Sequence, residues 1–189
     1  MNPQLHETLL LINQHFTAAK INWAIGGSLL LKAYGLVEIS NDIDLIVAVE
    51  DIEKADSILS FQAIKKETQP NKSIFETSAF YQYERLGINI DVMGDFAIRH
   101  AEGVFVFPFN QDTPTNPLSC QADLFPYNFL EDWYVLYQLL KRDQKVQLLE
   151  HHFKKQGLEQ PCLLQSYLTT NLPVSIKDRI KMILEFSNS

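Results

Sequence analysis

Residues 23–47, WAIGGSLLLKAYGLVEISNDIDLIV, carry the pattern that decides the fold. A short apolar run is followed by a turn at Gly26-Gly27, and a helix-prone segment then runs from Ser28 to Tyr34 before Gly35 stops it. A near-continuous apolar strand begins at Asp44 and is expected to end at Val49. The order of strand, glycine turn, helix and strand predicts a sheet with helices packed against it.

The glycine turn is a candidate phosphate site. A helix that starts after Gly26-Gly27 presents free backbone N–H groups and a partial positive charge to the turn. Ser28 can add a hydroxyl donor, so Gly26, Gly27 and Ser28 are the predicted phosphate ligands. Glycine pairs also precede helices only to let a helix and a strand pack closely, and this structural interpretation stays open.

Asp42 and Asp44 are a candidate metal site. Side chains alternate along a strand, so carboxylates two residues apart point to one face. Two such groups without a basic neighbour repel each other, which favours a divalent cation between them and suggests Mg²⁺. In the structural alternative, Asn41-Asp42 is only a turn and Asp44 an exposed residue at the sheet edge.

Asp91 is the third candidate. It lies in the apolar run from Ile88 to Met93, which forms a predicted β-hairpin with residues 75–85 through a Leu86-Gly87 turn. A carboxylate that faces the protein interior is costly unless it is paired or bound to metal, so an inward Asp91 would need the same cation. The alternative places Asn89 and Asp91 on the solvent face.

The other segments predict helices around a mixed sheet, followed by a helical half. Residues 94–127 look less regular, with one strand at Val104–Phe107 and several prolines, and are interpreted as the connection between the halves. The remaining predicted elements are helices at 3–20, 51–60, 129–142, 146–155, 158–170 and 173–186, a strand at 61–64 and a polar loop at 65–72.

This element order is typical of an α+β fold, with a mixed sheet and helices largely on one side. The predicted division is a core at residues 1–125 and a C-terminal helical part at 126–189.

The charge distribution limits the partners. The net charge is −7, and residues 1–125 contain 8 basic and 16 acidic residues, a net charge of −8. Long nucleic acids need a continuous basic surface, so such a ligand is not expected. A short RNA such as a tRNA end remains open because the helical half has a group of basic residues, although an ordinary solvated helix face explains this group as well. These residues are Lys141, Arg142, Lys145, Lys154 and Lys155.

The location is predicted to be the cytoplasm. The longest apolar runs are too short to cross a bilayer, so no membrane association is expected. The first residues lack the pattern of a secretion signal, and Cys120 and Cys162 are too isolated for a disulfide framework or a zinc site.

The ordered set Gly26-Gly27-Ser28, Asp42-Ile43-Asp44 and Asp91 resembles the signature of the nucleotidyltransferase superfamily of the DNA polymerase beta type. The resemblance covers about the first half of the chain. Size and layout are most similar to small bacterial members, namely the antibiotic nucleotidyltransferases and toxin-like proteins of abortive infection. The toxin-like members imply an antitoxin as a conceivable partner.

The resemblance implies a magnesium-dependent enzyme. Such an enzyme transfers a nucleoside monophosphate from a nucleoside triphosphate (NTP) to a hydroxyl acceptor, which is a small molecule, an RNA end or a protein, and pyrophosphate leaves. Asp42 and Asp44 would hold two Mg²⁺ ions, and Asp91 would complete the metal site and help to deprotonate the hydroxyl. The turn at Gly26-Gly27-Ser28 would hold the triphosphate.

One position departs from the resemblance. Relatives often have a basic residue four positions before the first Asp of the pair, where this chain has Glu38. Positive charge would then come from Lys32, Arg85 or Lys141-Arg142. The departure keeps two alternatives open: a catalytically inactive nucleotide-binding or regulatory module of the same fold, and a purely structural interaction protein.

Overall fold

A computed structural model describes residues 2–67, 74–121 and 123–187. The chain forms two compact units. The first consists of Met1–Phe96 and Phe107–Asn128, and the second of Ala97–Val106 and Phe129–Ser189. The domain boundary expected after residue 125 stays a prediction.

Helices and strands alternate along the first half of the described residues, and helices dominate near the C-terminus. In chain order they are α1 Pro3–Ala18, β1 Trp23–Ile25, α2 Gly27–Ala33, β2 Asp42–Val47, a 3₁₀ turn Val49–Asp51, α3 Ile52–Gln62, β3 Ile64–Lys65, β4 Ala79–Arg85, β5 Ile88–Gly94, β6 Ala97–His100, β7 Gly103–Val106, β8 Asn116–Cys120, β9 Asp123–Tyr127, α4 Leu130–Leu139, α5 Asp143–Gln156, α6 Pro161–Tyr167 and α7 Val174–Ser187.

The first unit is built on a mixed sheet. Within the described residues its strand order is β3-β4-β5-β2-β1-β9-β8. The β2–β5 and β1–β9 pairs are parallel, and the other neighbouring pairs are antiparallel. The predicted α+β class is therefore confirmed.

Helices α1 and α3 of this unit contact one face of the sheet, which we call the helix face. Phe16 of α1 packs edge-to-face on Trp23, and Glu7 of the same helix forms an ion pair with Arg85. From α3, Asp56 accepts a hydrogen bond from the buried Tyr83 hydroxyl. Because side chains alternate along strands, the opposite face of the same strands is left to other residues.

One sequence prediction for this unit is wrong. The strand expected at residues 61–64 begins only at Ile64, as β3, because α3 continues through Phe61 to Gln62 and the Phe61 side chain is 90% exposed. Because the Phe61 side chain buries little apolar surface, a strand at this position would gain no side-chain packing. Of the polar loop predicted at 65–72, residues 68–72 lie outside the described residues.

The stretch at 94–127 is more regular than expected. It contains the β6–β7 hairpin, and β8 and β9 form a second hairpin that extends the sheet. Of the prolines that suggested a loop, Pro117 lies in β8, which is an edge strand, and Pro126 faces it from β9. An edge strand tolerates a residue without a backbone N–H.

The second unit contains the β6–β7 hairpin and helices α4–α7. Its interior includes polar pairs as well as apolar side chains. The Tyr134 hydroxyl donates to Glu150 at 2.9 Å, and Arg179 of α7 forms an ion pair with the same carboxylate. None of the helices in the described part of the chain is both long and apolar enough to span a bilayer.

Asp132 is a buried acid of the second unit. Its carboxylate accepts hydrogen bonds from the Tyr167 hydroxyl at 2.7 Å and from the Phe129 backbone N–H at 3.2 Å. Burial raises the pKa of the Asp132 carboxyl to about 7, although these two hydrogen bonds oppose the rise. The folded state therefore binds a proton at Asp132 more tightly than an unfolded chain does.

The Asp132 pKa predicts how stability depends on pH. The group's ordinary pKa is 3.8 and its folded pKa is about 7, so its contribution is fully present below pH 4 and is lost as the pH rises to 7. Between pH 4 and pH 7, we expect the free energy of unfolding to fall by roughly 2–4 kcal/mol less in the Asp132→Asn protein than in the wild type. Urea unfolding at pH 4.5 to 8 measures this difference. Asp178→Asn, at an exposed site on α7, is the control, and parallel wild-type and Asp132→Asn curves would contradict the prediction.

Candidate active site

The glycine turn joins β1 to α2 and is tied to the neighbouring strand. Gly26 caps α2, which begins at Gly27, and the Gly26 backbone N–H donates to the Asp44 carbonyl oxygen at 2.9 Å. This bond fixes the turn beside β2. The predicted phosphate turn and the predicted acidic strand are therefore adjacent in space.

Gly27 is the position in the turn where glycine is required. Its φ is +60°, and a Cβ atom there would lie 1.8 Å from Oδ2 of Asp44. No side chain fits in that space without displacing the carboxylate. The Asp44 carboxylate therefore lies directly against the turn, and the two sequence motifs meet at a contact that only glycine permits.

Ser28 connects the turn to the first acidic residue. Its hydroxyl donates to Oδ1 of Asp42 at 3.1 Å and lies 2.9 Å from the hydroxyl of Ser40. A ligand held by Ser28 would therefore lie within reach of Asp42. The sequence pattern indicated Ser28 and Asp42, but it gave no signal for Ser40.

The pairing of β2 with β5 brings the third carboxylate to the other two. In this parallel ladder Asp44 lies opposite Asp91, and Asp42 lies opposite Asn89. Paired residues point to the same face, and Asp42 and Asp44 share a face by alternation. The structure thus places Asp42, Asp44 and Asp91 on one face, opposite the helix face.

Strand β4 extends this face with further polar side chains. Gln82 lies opposite Asp91, and Glu84 lies opposite Asn89. We call the resulting six-residue surface on β2, β5 and β4 the polar platform. Its members are Asp42, Asp44, Asn89, Asp91, Gln82 and Glu84. The next row across the same strands is apolar and consists of Ile46, Met93 and Phe80.

Asp91 is held by its neighbour on β4. The Gln82 amide Nε2 donates to Oδ1 of Asp91 at 2.9 Å, and the Asp91 side chain is half-buried. Burial raises the pKa of Asp91, and the nearby Asp42 carboxylate adds to this rise. The Gln82 hydrogen bond and the charge of Lys66 act in the opposite direction.

Lys66 is a cation at the platform that sequence analysis did not identify. Its backbone N–H donates to the Gln82 carbonyl oxygen at 2.8 Å. Its ammonium group donates to Oδ1 of Asn89 at 2.7 Å and lies 2.9 Å from a carboxylate oxygen of Glu84. The position depends on the pairing of β3 with β4, for which the sequence around Lys66 gives no local signal.

Two of the cations suggested by the sequence lie elsewhere. The Lys32 ammonium group donates to the backbone carbonyl oxygen of Glu38 at 2.6 Å, so it holds the loop between α2 and β2. Arg85 points to the helix face, where it pairs with Glu7. Neither residue lies on the polar platform.

The donor chemistry of the platform fits a hard divalent cation, because its carboxylate and amide oxygens are the ligand types that Mg²⁺ prefers. Within the described ranges, no three His, Cys, Asp or Glu side chains are arranged to hold one metal ion. Like charges repel, and separate donors hold two of the three carboxylates: Ser28 binds Asp42, and Gln82 binds Asp91. A shared metal centre therefore stays a prediction.

Known proteins are similar to this chain in structure rather than in sequence. No protein-family profile and no curated protein sequence matches it. A Thermotoga maritima protein whose nucleotidyltransferase function is itself inferred is similar with a TM-score of 0.64 at 23% identity, over 82% of this chain and 96% of that protein. The solution structure of the antibiotic-resistance factor ANT(2″)-Ia is similar with a TM-score of 0.61 at 12% identity, over 96% of this chain and 94% of that one.

A crystal structure of ANT(2″)-Ia in complex with adenylyl-2″-tobramycin is also similar, with a TM-score of 0.55 at 10% identity over 97% of this chain and 98% of that one. At these identities the likeness concerns the fold. The chain has the nucleotidyltransferase fold, and the resemblance found in the sequence is confirmed at that level.

The contact between Gly27 and Asp44 predicts that two glycines respond differently to substitution. Gly27 and Gly35 both have positive φ, but a Cβ at Gly35 meets no atom within 4 Å. Gly35→Ala should cost about 1 kcal/mol through backbone strain alone. Gly27→Ala should cost at least about 2 kcal/mol, because the methyl group must also displace the Asp44 carboxylate. Urea unfolding measures both values, and equal losses would refute the contact.

Proposed function

We propose that this protein is a magnesium-dependent nucleotidyltransferase that transfers a nucleoside monophosphate from an NTP to a hydroxyl group. The observation that carries the proposal is the register that pairs Asp44 with Asp91, next to a glycine turn that touches Asp44. The nucleotidyltransferase fold supports the same reaction class.

Asp42, Asp44 and Asp91 would hold two Mg²⁺ ions. When bound, such ions neutralise the charge that develops on the attacking and leaving oxygens. The fit rests on the oxygen donors of the platform and on the exposed Asp42 side chain, which is free to turn from Ser28 toward a cation. The turn at Gly26, Gly27 and Ser28 would bind the triphosphate through the backbone N–H groups of Gly27 and Ser28 and through the Ser28 hydroxyl, since the Gly26 N–H is bonded to Asp44.

The chain's own groups position the reactants and move one proton. The acceptor hydroxyl approaches Asp91, whose Oδ1 is engaged by Gln82, and transfers its proton to Oδ2. The acceptor oxygen then forms a bond to the α-phosphorus as the bond between that phosphorus and the bridging oxygen to the β-phosphorus breaks. Pyrophosphate leaves on the side of the glycine turn, because attack and departure are in line.

We propose a small molecule as the acceptor. ANT(2″)-Ia, which shares the fold, has been solved with adenylyl-2″-tobramycin, and this supports a small hydroxyl compound. The net charge of −7 argues against a long nucleic acid. An RNA end and a protein hydroxyl are the alternative acceptors.

A second candidate function is nucleotide binding without turnover. It is favoured by Glu38, which stands where relatives often have a basic residue, and by the separate donors that hold Asp42 and Asp91. The two functions differ in one result. Calorimetry would detect binding of Mg-ATP or Mg-GTP in both cases, whereas transfer to an acceptor occurs only in the enzyme.

The experiment is transfer of α-labelled nucleotide, with each of the four NTPs, magnesium, and trehalose, tobramycin or a short RNA as acceptor. Wild-type protein should release pyrophosphate, and Asp44→Asn should lower the rate at least about 100-fold while circular dichroism stays unchanged. Asp112→Asn, at an exposed loop position, should retain the wild-type rate. Undiminished transfer by Asp44→Asn would exclude the proposed role of the carboxylates.

A further inference from the structure

An ion pair lies on the polar platform beside Asp91. The Lys66 ammonium group lies 2.9 Å from Oε2 of Glu84 and donates to Oδ1 of Asn89 at 2.7 Å. Both charged side chains remain accessible, since 39% of Lys66 and 41% of Glu84 is exposed. A ligand on the platform can therefore reach this pair.

The position of the pair indicates which substrate it would meet. Adjacent strands are about 4.8 Å apart, so β4 lies about 14 Å from β1, where the glycine turn begins. The triphosphate and its leaving group belong to the turn, and an in-line reaction puts the incoming hydroxyl on the opposite side. Lys66 and Glu84 therefore lie on the acceptor side of Asp91.

Whether the acceptor side attracts a cationic or an uncharged acceptor depends on whether the Glu84 carboxylate is neutralised. Without Lys66, the Glu84 carboxylate would stand two residues from Gln82 on the face that carries Asp91, and the acceptor side would attract amines. The Lys66 ammonium group neutralises Glu84 and also lowers the pKa of Asp91. What remains is a neutral surface of amides and a satisfied ion pair, which suits hydroxyl groups.

The adjacent lysine provides an internal comparison. Lys65 points to the helix face, where it forms an ion pair with Asp56 and lies over the ring of Tyr81. That pair belongs to the packing of α3 on the sheet. Lys66 has the same charge and is its neighbour in the chain, but its side chain lies on the opposite face, at the polar platform.

We propose that the Lys66–Glu84 ion pair determines acceptor specificity by charge, so that the acceptor is an uncharged, polyhydroxylated molecule and polycations are excluded. The pair excludes polycations because it masks the carboxylate that would bind them. This inference rests on the proposed function for the location of the acceptor. The binding experiment on the pair itself does not depend on turnover.

Spermidine, a linear trication, is the probe. It is titrated in saturating magnesium at low ionic strength, and its binding is followed by the NMR signals of the backbone amides of β4 and β5. Lys66→Met should bind spermidine about tenfold more tightly than the wild type. Lys66→Gln, which keeps a hydrogen-bond donor for Asn89, should show the same direction of change if Lys66→Met folds poorly.

Two further variants identify the cause. Lys65→Met carries the same charge change on the other face and should leave spermidine affinity at this site unchanged. The double variant Lys66→Met/Glu84→Gln should return to within twofold of the wild type. Unchanged affinity in both Lys66 variants, an equal gain in Lys65→Met, or a gain that persists in the double variant would each overturn the proposal.

Nucleotide transfer extends the test to acceptors. Lys66→Met should raise the rate of transfer to tobramycin, a polycationic sugar, relative to trehalose, an uncharged one. If Lys66→Met transfers nucleotide but its ratio of tobramycin rate to trehalose rate equals that of the wild type, the proposal is overturned. If no variant and no wild-type protein transfers nucleotide, the proposed function fails, and the spermidine titration still decides the role of the ion pair.

Discussion

The parallel pairing of β2 with β5 is the constraint on which the candidate site depends. It places Asp44 opposite Asp91, and the alternation along each strand puts Asp42 on the same face. A shift of one residue in this ladder would turn Asp91 to the helix face. The apolar positions on either side of it, Ile90 and Val92, are buried on the helix face and hold the register.

A second constraint is the charge that this pairing concentrates. Three carboxylates on one face repel one another. Two of them, Asp42 and Asp91, accept hydrogen bonds from different donors rather than from a common partner. Ser28 binds Asp42, Gln82 binds Asp91, and Lys66 lies at the far edge of the same face. A site that collects negative charge in this way favours a divalent metal ion, and the donors of Asp42 and Asp91 can be exchanged for such an ion.

The sequence predicted those parts of the site that depend on local rules. Alternation put Asp42 and Asp44 on one face, and the conformational freedom of glycine marked the turn before α2. The face on which Asp91 lies could not be chosen from its own strand, because both faces were compatible with the alternating pattern. That choice was made by pairing with β2, which is nearly fifty residues away in the chain.

Parts of the site that depend on distant pairing were missed. Gln82 contacts Asp91, and Lys66 contacts Asn89 and Glu84, only because β3, β4 and β5 pair in this register, and neither residue type is unusual in its local sequence. The β8–β9 hairpin was missed because its prolines are typical of loops, although the edge strand β8 accepts Pro117. Polar residues whose partners lie on other strands are therefore the least predictable part of this site.

In the proposed enzyme, Asp44 and Asp91 act on one shared magnesium site. Its most direct test is the magnesium-induced rise in melting temperature of the wild type, Asp44→Asn, Asp91→Asn and the double variant. A shared site predicts that each single substitution removes most of the rise and that the double substitution removes little more. If the losses of the two single variants added up in the double variant, or if the wild-type melting temperature did not respond to magnesium, a shared magnesium site would be contradicted.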